Sequence, residues 1–369
     1  MIKLLIVDDS IFIRTTLKKI LKHPEIEIVD TAPNGKIGVE RVIELQPDVV
    51  TMDIEMPVMN GIEALREIMD KNPVPVIMVS TLTKEGADVT LEALTLGAVD
   101  FITKRAAFDE AQGMKEELLS KILAIGHNPV LRNRFKAELQ RKKSGCRTES
   151  QSVAQRVAEI IGKKRGLELS GAKHIPLSNE IEAIGIGIST GGPNALQVLF
   201  RKLPADIPVP ILIAQHMPPF FTKSLAERLD KLSQISVKEA QDGDRLERGK
   251  AYIAPGGRQM TVNKRRKISI SDEPANSLYK PCVNVLLDSM IDVFDNRMVG
   301  IIMTGMGHDG QTALKRLHDR KGYVIAQDLD SCVVGGMPKS VMDVNAADDI
   351  QSLEDLPQAI ASLFGLNEV

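Results

Sequence analysis

The chain is short of three things, and each shortage narrows what it can be. Cysteine occurs only at Cys146, Cys282 and Cys332. Scattered and odd in number, these fit reduced thiols in a cytoplasmic protein rather than a disulfide framework. Neither charge is in excess: 47 Lys and Arg face 49 Asp and Glu, a formal net charge of −2. That argues against general affinity for nucleic acid and leaves only a local basic patch open. Long apolar runs are missing too, so no membrane insertion is expected. The apolar start at Met1 is cut by Asp8 and Asp9 before it could form a secretory signal. What is present is 43% hydrophobic residues on 369 positions, enough for globular cores and for two domains.

The first stretch alternates short apolar strands with amphipathic segments. Strands are expected at 4–7, 48–52, 76–79 and 100–102, with a helix over 11–21. This alternation predicts a doubly wound parallel sheet with helices on both faces. Polar residues fall where the strands end: Asp8 and Asp9, then Asp53, then Ser80 and Thr81, then Lys104. Open parallel sheets bind ligands at that carboxyl edge. Any one of these aspartates could be a turn or cap residue. Several converging on one edge would repel each other without a cation, and hard oxygen donors favour Mg²⁺.

These segments resemble the receiver domain of two-component response regulators. The match lies in Val7-Asp8-Asp9-Ser10, Met52-Asp53-Ile54-Glu55-Met56-Pro57, Met78-Val79-Ser80 and Phe101-Ile102-Thr103-Lys104. The resemblance implies that Asp53 accepts a phosphoryl group from a histidine kinase. It implies that Asp8 and Asp9 help Asp53 hold Mg²⁺, that Lys104 contacts the phosphoryl oxygens and that Ser80 senses them. Arg105 stands where receivers usually have proline.

From about Ala124 to Ser178 the rhythm weakens. Basic residues collect there (Arg132, Arg134, Lys136, Arg141, Lys142, Lys143, Arg147), helix is plausible only over 133–143, and a solvated linker is expected. Beyond Ile181 the alternation returns and predicts a second α/β sheet. Its strands are expected at 184–188, 209–214, 250–254, 298–303 and 323–326. Helices are expected at 195–201, 222–232, 283–294 and 311–320. The expected organisation is therefore 1–123, a linker over 124–178, and 179–369.

The second sheet carries the chemistry. Gly187, Ser189 and Gly191 satisfy the G-x-S-x-G pattern, and Pro193 marks a helix start, so the serine sits on a strand-to-helix turn. His216 ends the next strand, and Asp309 follows a later one. A serine hydroxyl needs a base to take its proton, imidazole can serve near neutral pH, and a carboxylate fixes the imidazole tautomer. The order Ser, His, Asp disfavours the α/β-hydrolase fold, which runs Ser, Asp, His. His308 is a rival base, but its neighbour Asp309 points elsewhere and would orient it poorly. Cys282 and Cys332 lie on no such turn. Gly185-x-Gly187 with Gly191 also mimics a dinucleotide-binding turn, yet Gln215-His216 stands where that fold wants an acidic residue. Nothing in the second half reads as a compact helix-turn-helix.

This half is similar to the catalytic domain of chemotaxis-type protein-glutamate methylesterases, the CheB family. The motifs are Ser189-Thr190-Gly191-Gly192-Pro193, Gln215-His216-Met217, Tyr252-Ile253-Ala254-Pro255-Gly256, Met303-Thr304-Gly305-Met306-Gly307 with Asp309-Gly310, and Gly336-Met337-Pro338. The resemblance implies Ser189 as nucleophile, His216 as base and Asp309 as orienting acid. Thr190 would line the site, and the Met306 N–H would serve the oxyanion. It also implies phosphorylation-controlled hydrolysis of γ-glutamyl methyl esters on methylated chemoreceptors, with deamidation of glutamines, and no cofactor in the catalytic domain. Two positions depart from the family: Gln259 replaces a histidine, and Gly335 replaces a bulkier residue.

Overall fold

A computed structural model describes residues 1–104, 111–143 and 180–366, and at 111–114 and 141–143 the backbone alone. The chain divides into two compact units, Met1–Ile161 and Gly162–Val369.

In the first unit β1 (Ile2–Val7), β2 (Ile26–Ala32), β3 (Val49–Asp53), β4 (Val76–Thr81) and β5 (Asp100–Lys104) form one parallel sheet. Their order is β2-β1-β3-β4-β5. Helices α1 (Ile11–Ile20), α2 (Gly35–Leu45), α3 (Gly61–Lys71), α4 (Lys84–Leu96) and α5 (Ala111–His127) connect and follow the strands. The central strands β3 and β4 are apolar on both faces because helices cover both. Side chains of Ser10, Asn34, Asn60 and Thr83 cap α1 to α4, and Asn60 with Glu63 forms a reciprocal capping box. Strand order reverses between β1 and β3, where Val7 pairs with Met52. Asp8 and Asp53 therefore emerge side by side, at the crevice such sheets use for ligands.

Part of the stretch expected as linker is ordered. Helix α6 (Pro129–Lys143) starts earlier than the basic run suggested. Asn128 Oδ1 accepts the Leu131 N–H at 2.9 Å and caps it, while Leu131 and Phe135 are buried. Arg105, Cys146, Arg147 and the rest of the segment to Ser178 lie outside the described residues.

The second unit holds β6 (Ala183–Ile188), β7 (Ile211–Gln215), β8 (Ser236–Glu239), β9 (Lys250–Ile253), β12 (Met298–Ile302), β13 (Tyr323–Gln327) and β14 (Asp349–Gln351). They form one parallel sheet in the order β14-β13-β12-β6-β7-β9-β8. A separate antiparallel hairpin joins β10 (Gln259–Val262) and β11 (Ile268–Ser271). The helices are α7 (Gly192–Lys202), α8 (Phe221–Leu232), α9 (Val283–Phe294), α10 (Gln311–Asp319), α11 (Gly336–Asp343) and α12 (Leu356–Ser362).

The glycines of β6 decide how α9 packs. A Cβ at Gly185 would lie 2.5 Å from Leu287 Cδ2, and one at Gly187 would lie 2.3 Å from Val283 Cγ1. The Gly-x-Gly spacing is thus a pair of holes on one strand face that admits two side chains of α9. That approach delivers the N-terminus of α9 to the carboxyl edge of the sheet.

Candidate functional site

In the first unit the sheet edge gathers the expected residues. Donor oxygens of Asp8, Asp9 and Asp53 lie within 4.8 Å of one another. Lys104 Nζ sits 2.7 Å from Asp53 Oδ2 and 3.2 Å from Asp8 Oδ2. The Asp8 oxygen is buried and within ion-pair range of Lys104, yet it receives no hydrogen bond. Burial pushes the Asp53 carboxyl above its ordinary value, and Asp8 adds to this; the Lys104 hydrogen bond and charge pull the other way without cancelling it. Two buried carboxylates and the exposed Asp9, with one buried Asp8 oxygen left without a hydrogen bond, suit a hard divalent cation such as Mg²⁺. Arg14 fixes the turn by donating to the Asp8 and Asp9 carbonyls at 2.6 and 2.9 Å. Gly61 lies so close to the Asp53 carbonyl that a Cβ would come within 2.0 Å of it. Ser80 accepts from Thr90 Oγ1 at 2.7 Å and donates toward the Thr81 and Gly86 carbonyls.

In the second unit Ile188 pairs with Gln215, so Ser189 and His216 leave adjacent strands at the same level. On the other side of β6, Gly187 pairs with Ile302, which starts the loop leading to Asp309. The three side chains meet in a line. Ser189 Oγ is 3.1 Å from His216 Nδ1, and His216 Nε2 is 2.8 Å from Asp309 Oδ2. A neutral imidazole fits this line if Nε2–H donates to the carboxylate and Nδ1 accepts from the hydroxyl. Asp309 Oδ2 also accepts the Val283 N–H at 2.7 Å, while Oδ1 accepts Asn284 N–H at 2.9 Å and the Cys282 thiol at 3.3 Å. Burial alone would raise the Asp309 carboxyl; the His216 hydrogen bond and charge, with the two α9 amides, outweigh it and hold the group below its ordinary value. The Cys282 thiol is pushed up, first by burial and then by Asp309, so it stays protonated and donates. His308 is exposed, and it lies outside the line.

The surrounding motifs hold this line. Ser189 N–H donates to the Thr304 carbonyl at 3.0 Å. Thr304 Oγ1 donates to the Thr190 carbonyl at 2.9 Å, and its N–H is held by buried Gln327 at 2.8 Å. Gln215 Nε2 bridges the Ser189 and His216 carbonyls at 3.0 and 3.1 Å. It packs so tightly on Gly192 that a Cβ there would lie 1.9 Å from Gln215 Oε1. Gly191, at φ 76°, turns the chain into α7. Gly256 backs the histidine loop, where a Cβ would meet the Pro218 backbone at 2.4 Å.

Sequence reasoning missed Tyr279. Its ring stacks on His216, with centroids 4.1 Å apart and planes at 9°. Nothing in the pattern of an irregular loop signals such a contact. Gln259 is buried and joins the same loop: Nε2 donates to the Tyr279 carbonyl at 2.9 Å, and Oε1 accepts Cys282 N–H at 2.8 Å. Leu329 lies over Gly335, 3.0 Å from where its Cβ would be, and so fills part of the space a larger residue would take.

The chain matches the family models for the CheB methylesterase over residues 184–360 and for the response regulator receiver domain over residues 4–114. It is 43% identical to a protein-glutamate methylesterase/protein-glutamine glutaminase of Oleidesulfovibrio alaskensis, over 98% of each chain. It is 39% identical to one of the same name from Archaeoglobus fulgidus, over 97% of each. The catalytic domain of Thermotoga maritima CheB methylesterase is 38% identical over 50% of this chain and 98% of that one, with a TM-score of 0.48.

Proposed function

The chain belongs to the family of protein-glutamate methylesterases/protein-glutamine glutaminases with an N-terminal receiver domain, and on that premise we propose that Ser189, His216 and Asp309 carry its hydrolysis and Asp53 its control. The hydrogen-bonded line from Ser189 through His216 to Asp309 carries this reading.

His216 Nδ1 takes the Ser189 proton as Oγ attacks the γ-carbonyl carbon of a glutamyl methyl ester. Asp309 holds the imidazole and balances its positive charge. The Met306 N–H, on the turn tied to the nucleophile loop through Thr304, donates to the oxyanion while Thr190 lines the site; such a donor is typically worth ~3–4 kcal/mol. The C–O bond to methanol breaks as His216 returns the proton to the leaving oxygen. Water, deprotonated by His216, then attacks the acyl-enzyme; the bond to Ser189 Oγ breaks as His216 returns the proton to that oxygen, and glutamate is released. With a glutamine side chain the leaving group is ammonia.

The substrates are methylated chemoreceptors. Phe220 and Leu278, exposed large apolar side chains, flank the His216 loop and the Tyr279 stack and suit a protein surface rather than a small ester.

In the receiver a carboxylate oxygen of Asp53 takes the phosphoryl group from a histidine kinase. Asp8, Asp9 and Asp53 would hold Mg²⁺, which offsets charge on the transferring group. Lys104 pairs with the phosphoryl oxygens, and Ser80 leaves Thr90 to meet them. We place its action in the cytoplasm, with the histidine kinase that supplies the phosphoryl group; Cys282 and Cys332 are free thiols. The test is methanol release from methylated receptor membranes with and without acetyl phosphate and Mg²⁺. Stimulation by the phosphodonor supports the reading; no release under either condition refutes it.

A further inference from the structure

We infer that Tyr279 is a positioning residue for the base: its ring, stacked on His216 and anchored through its carbonyl by buried Gln259, favours the imidazolium that forms as Ser189 attacks. The inference rests on the triad reading above.

The geometry makes the case. Two hydrogen bonds define the His216 ring along the Ser189–Asp309 line but leave it free to rock about that line. A parallel aromatic ring at 4.1 Å closes one face and removes that freedom. The same contact is electrostatic, since the face of an aromatic ring is negative and attracts a cation stacked on it. Imidazolium exists only after proton transfer from Ser189, so the attraction is stronger at the transition state than in the resting enzyme. The groups that meet the ring are Ser189 at Nδ1, Asp309 at Nε2 and Tyr279 on its face, with the Cys282 thiol on the far oxygen of Asp309.

The Tyr279 loop is itself fixed. Gln259 is fully buried at the start of β10 and binds the Tyr279 carbonyl and the Cys282 amide with its two ends. One amide therefore holds the residue that stacks on the base and the residue whose thiol reaches the acid. The arrangement uses the paired donor and acceptor of one planar amide.

The signs follow. Loss of the ring removes a preference for imidazolium. The plateau of kcat/KM falls, roughly three- to thirtyfold for a contact of this class. The acid limb of the profile moves to lower pH. The ratio of variant to wild-type activity therefore rises as pH falls, and taking the ratio cancels the pH dependence of receiver phosphorylation.

The experiment measures methanol release from methylated receptor membranes between pH 5.5 and 8.5, using the full chain with acetyl phosphate and Mg²⁺. Tyr279→Phe keeps an aromatic face and should show a ratio flat across pH, whereas Tyr279→Leu should show the fall and the rising ratio. Pentafluorophenylalanine at position 279 keeps the ring's shape while removing the negative face, and should behave like leucine. It decides the matter if the leucine variant fails to fold. A ratio flat across pH for the fluorinated ring, or activity within twofold of wild type, overturns the inference. Ser189→Ala runs alongside: if it retains activity, the triad reading has failed, whatever Tyr279 does.

Discussion

Asp309 Oδ2 lies 2.8 Å from His216 Nε2 and accepts the Val283 N–H at 2.7 Å, so one carboxylate oxygen both orients the base and caps α9. An amide has only one acceptor oxygen and cannot satisfy all the donors Asp309 meets. Asp309→Asn should therefore lower kcat by about 10⁴-fold, as loss of the orienting acid does elsewhere, and also lower stability by ~1 kcal/mol through the weakened cap. The Asp309 carboxyl is depressed in the fold, so the stability it provides is present above its ordinary value of 3.8 and fades as pH falls through the lower folded value. The melting deficit of Asp309→Asn should be full at pH 7 and shrink in acid. Ser189→Ala, which removes one hydroxyl, should abolish activity with an unchanged melt. Equal melts for the two variants would contradict the dual role.

The glycines of β6 make a second contrast. Gly187→Ala would place its Cβ 2.3 Å from Val283, against a helix whose next amides bind Asp309. It should cost about 1–3 kcal/mol by overpacking and reduce kcat more than it changes KM. Gly335→Ala meets only the end of the Leu329 side chain at 3.0 Å and has an ordinary φ. It should leave stability within about 0.5 kcal/mol. Thermal melts and Michaelis kinetics on both variants test this; equal effects would mean the close approach of α9 has no bearing on the acid.

Asp53 gives a signed prediction of the other kind. Its carboxyl is raised by burial, so its ionised form is disfavoured in the fold relative to the unfolded chain. Asp53→Asn should raise the melting temperature of the receiver at neutral pH, with a smaller gain as pH falls toward the ordinary value. It should also abolish acetyl phosphate labelling and blunt the thermal shift produced by Mg²⁺. Wild-type labelling of Asp53→Asn would refute the assignment.

Much of this was legible because it follows from strand ends. Apolar runs marked the central strands, and the polar residue that stops each run lies at the ligand-binding edge, which brought Asp8, Asp53, Lys104, Ser189 and His216 forward. Strands β2 and β8 were missed because few of their residues are fully buried and polar ones interrupt the apolar signal. The Gly185-x-Gly187 spacing read equally as a phosphate-binding turn; only the packing of Val283 and Leu287 reveals its purpose. Helix α6 hid in a basic segment because its mean hydropathy is low and, among its described side chains, Leu131 and Phe135 alone are buried. Tyr279 and Gln259 act across irregular loops distant in sequence, where no periodicity reports contact.

Control by the receiver predicts a further outcome. If phosphorylation relieves a restraint on the esterase, the two states need differ by only about 1.4 kcal/mol for tenfold activation. A fragment starting near Ser178 should then release methanol without a phosphodonor, and faster than the unphosphorylated whole chain. A fragment with a normal far-UV spectrum and no higher activity would remove restraint as the mode of control.

The central claim is that Ser189 is the nucleophile of a phosphorylation-stimulated methylesterase. Its most direct test is methanol release from methylated receptor membranes by the Ser189→Ala chain, labelled at Asp53 to the wild-type level. The account predicts release indistinguishable from the uncatalysed background with phosphorylation intact. Release near the wild-type rate would contradict it.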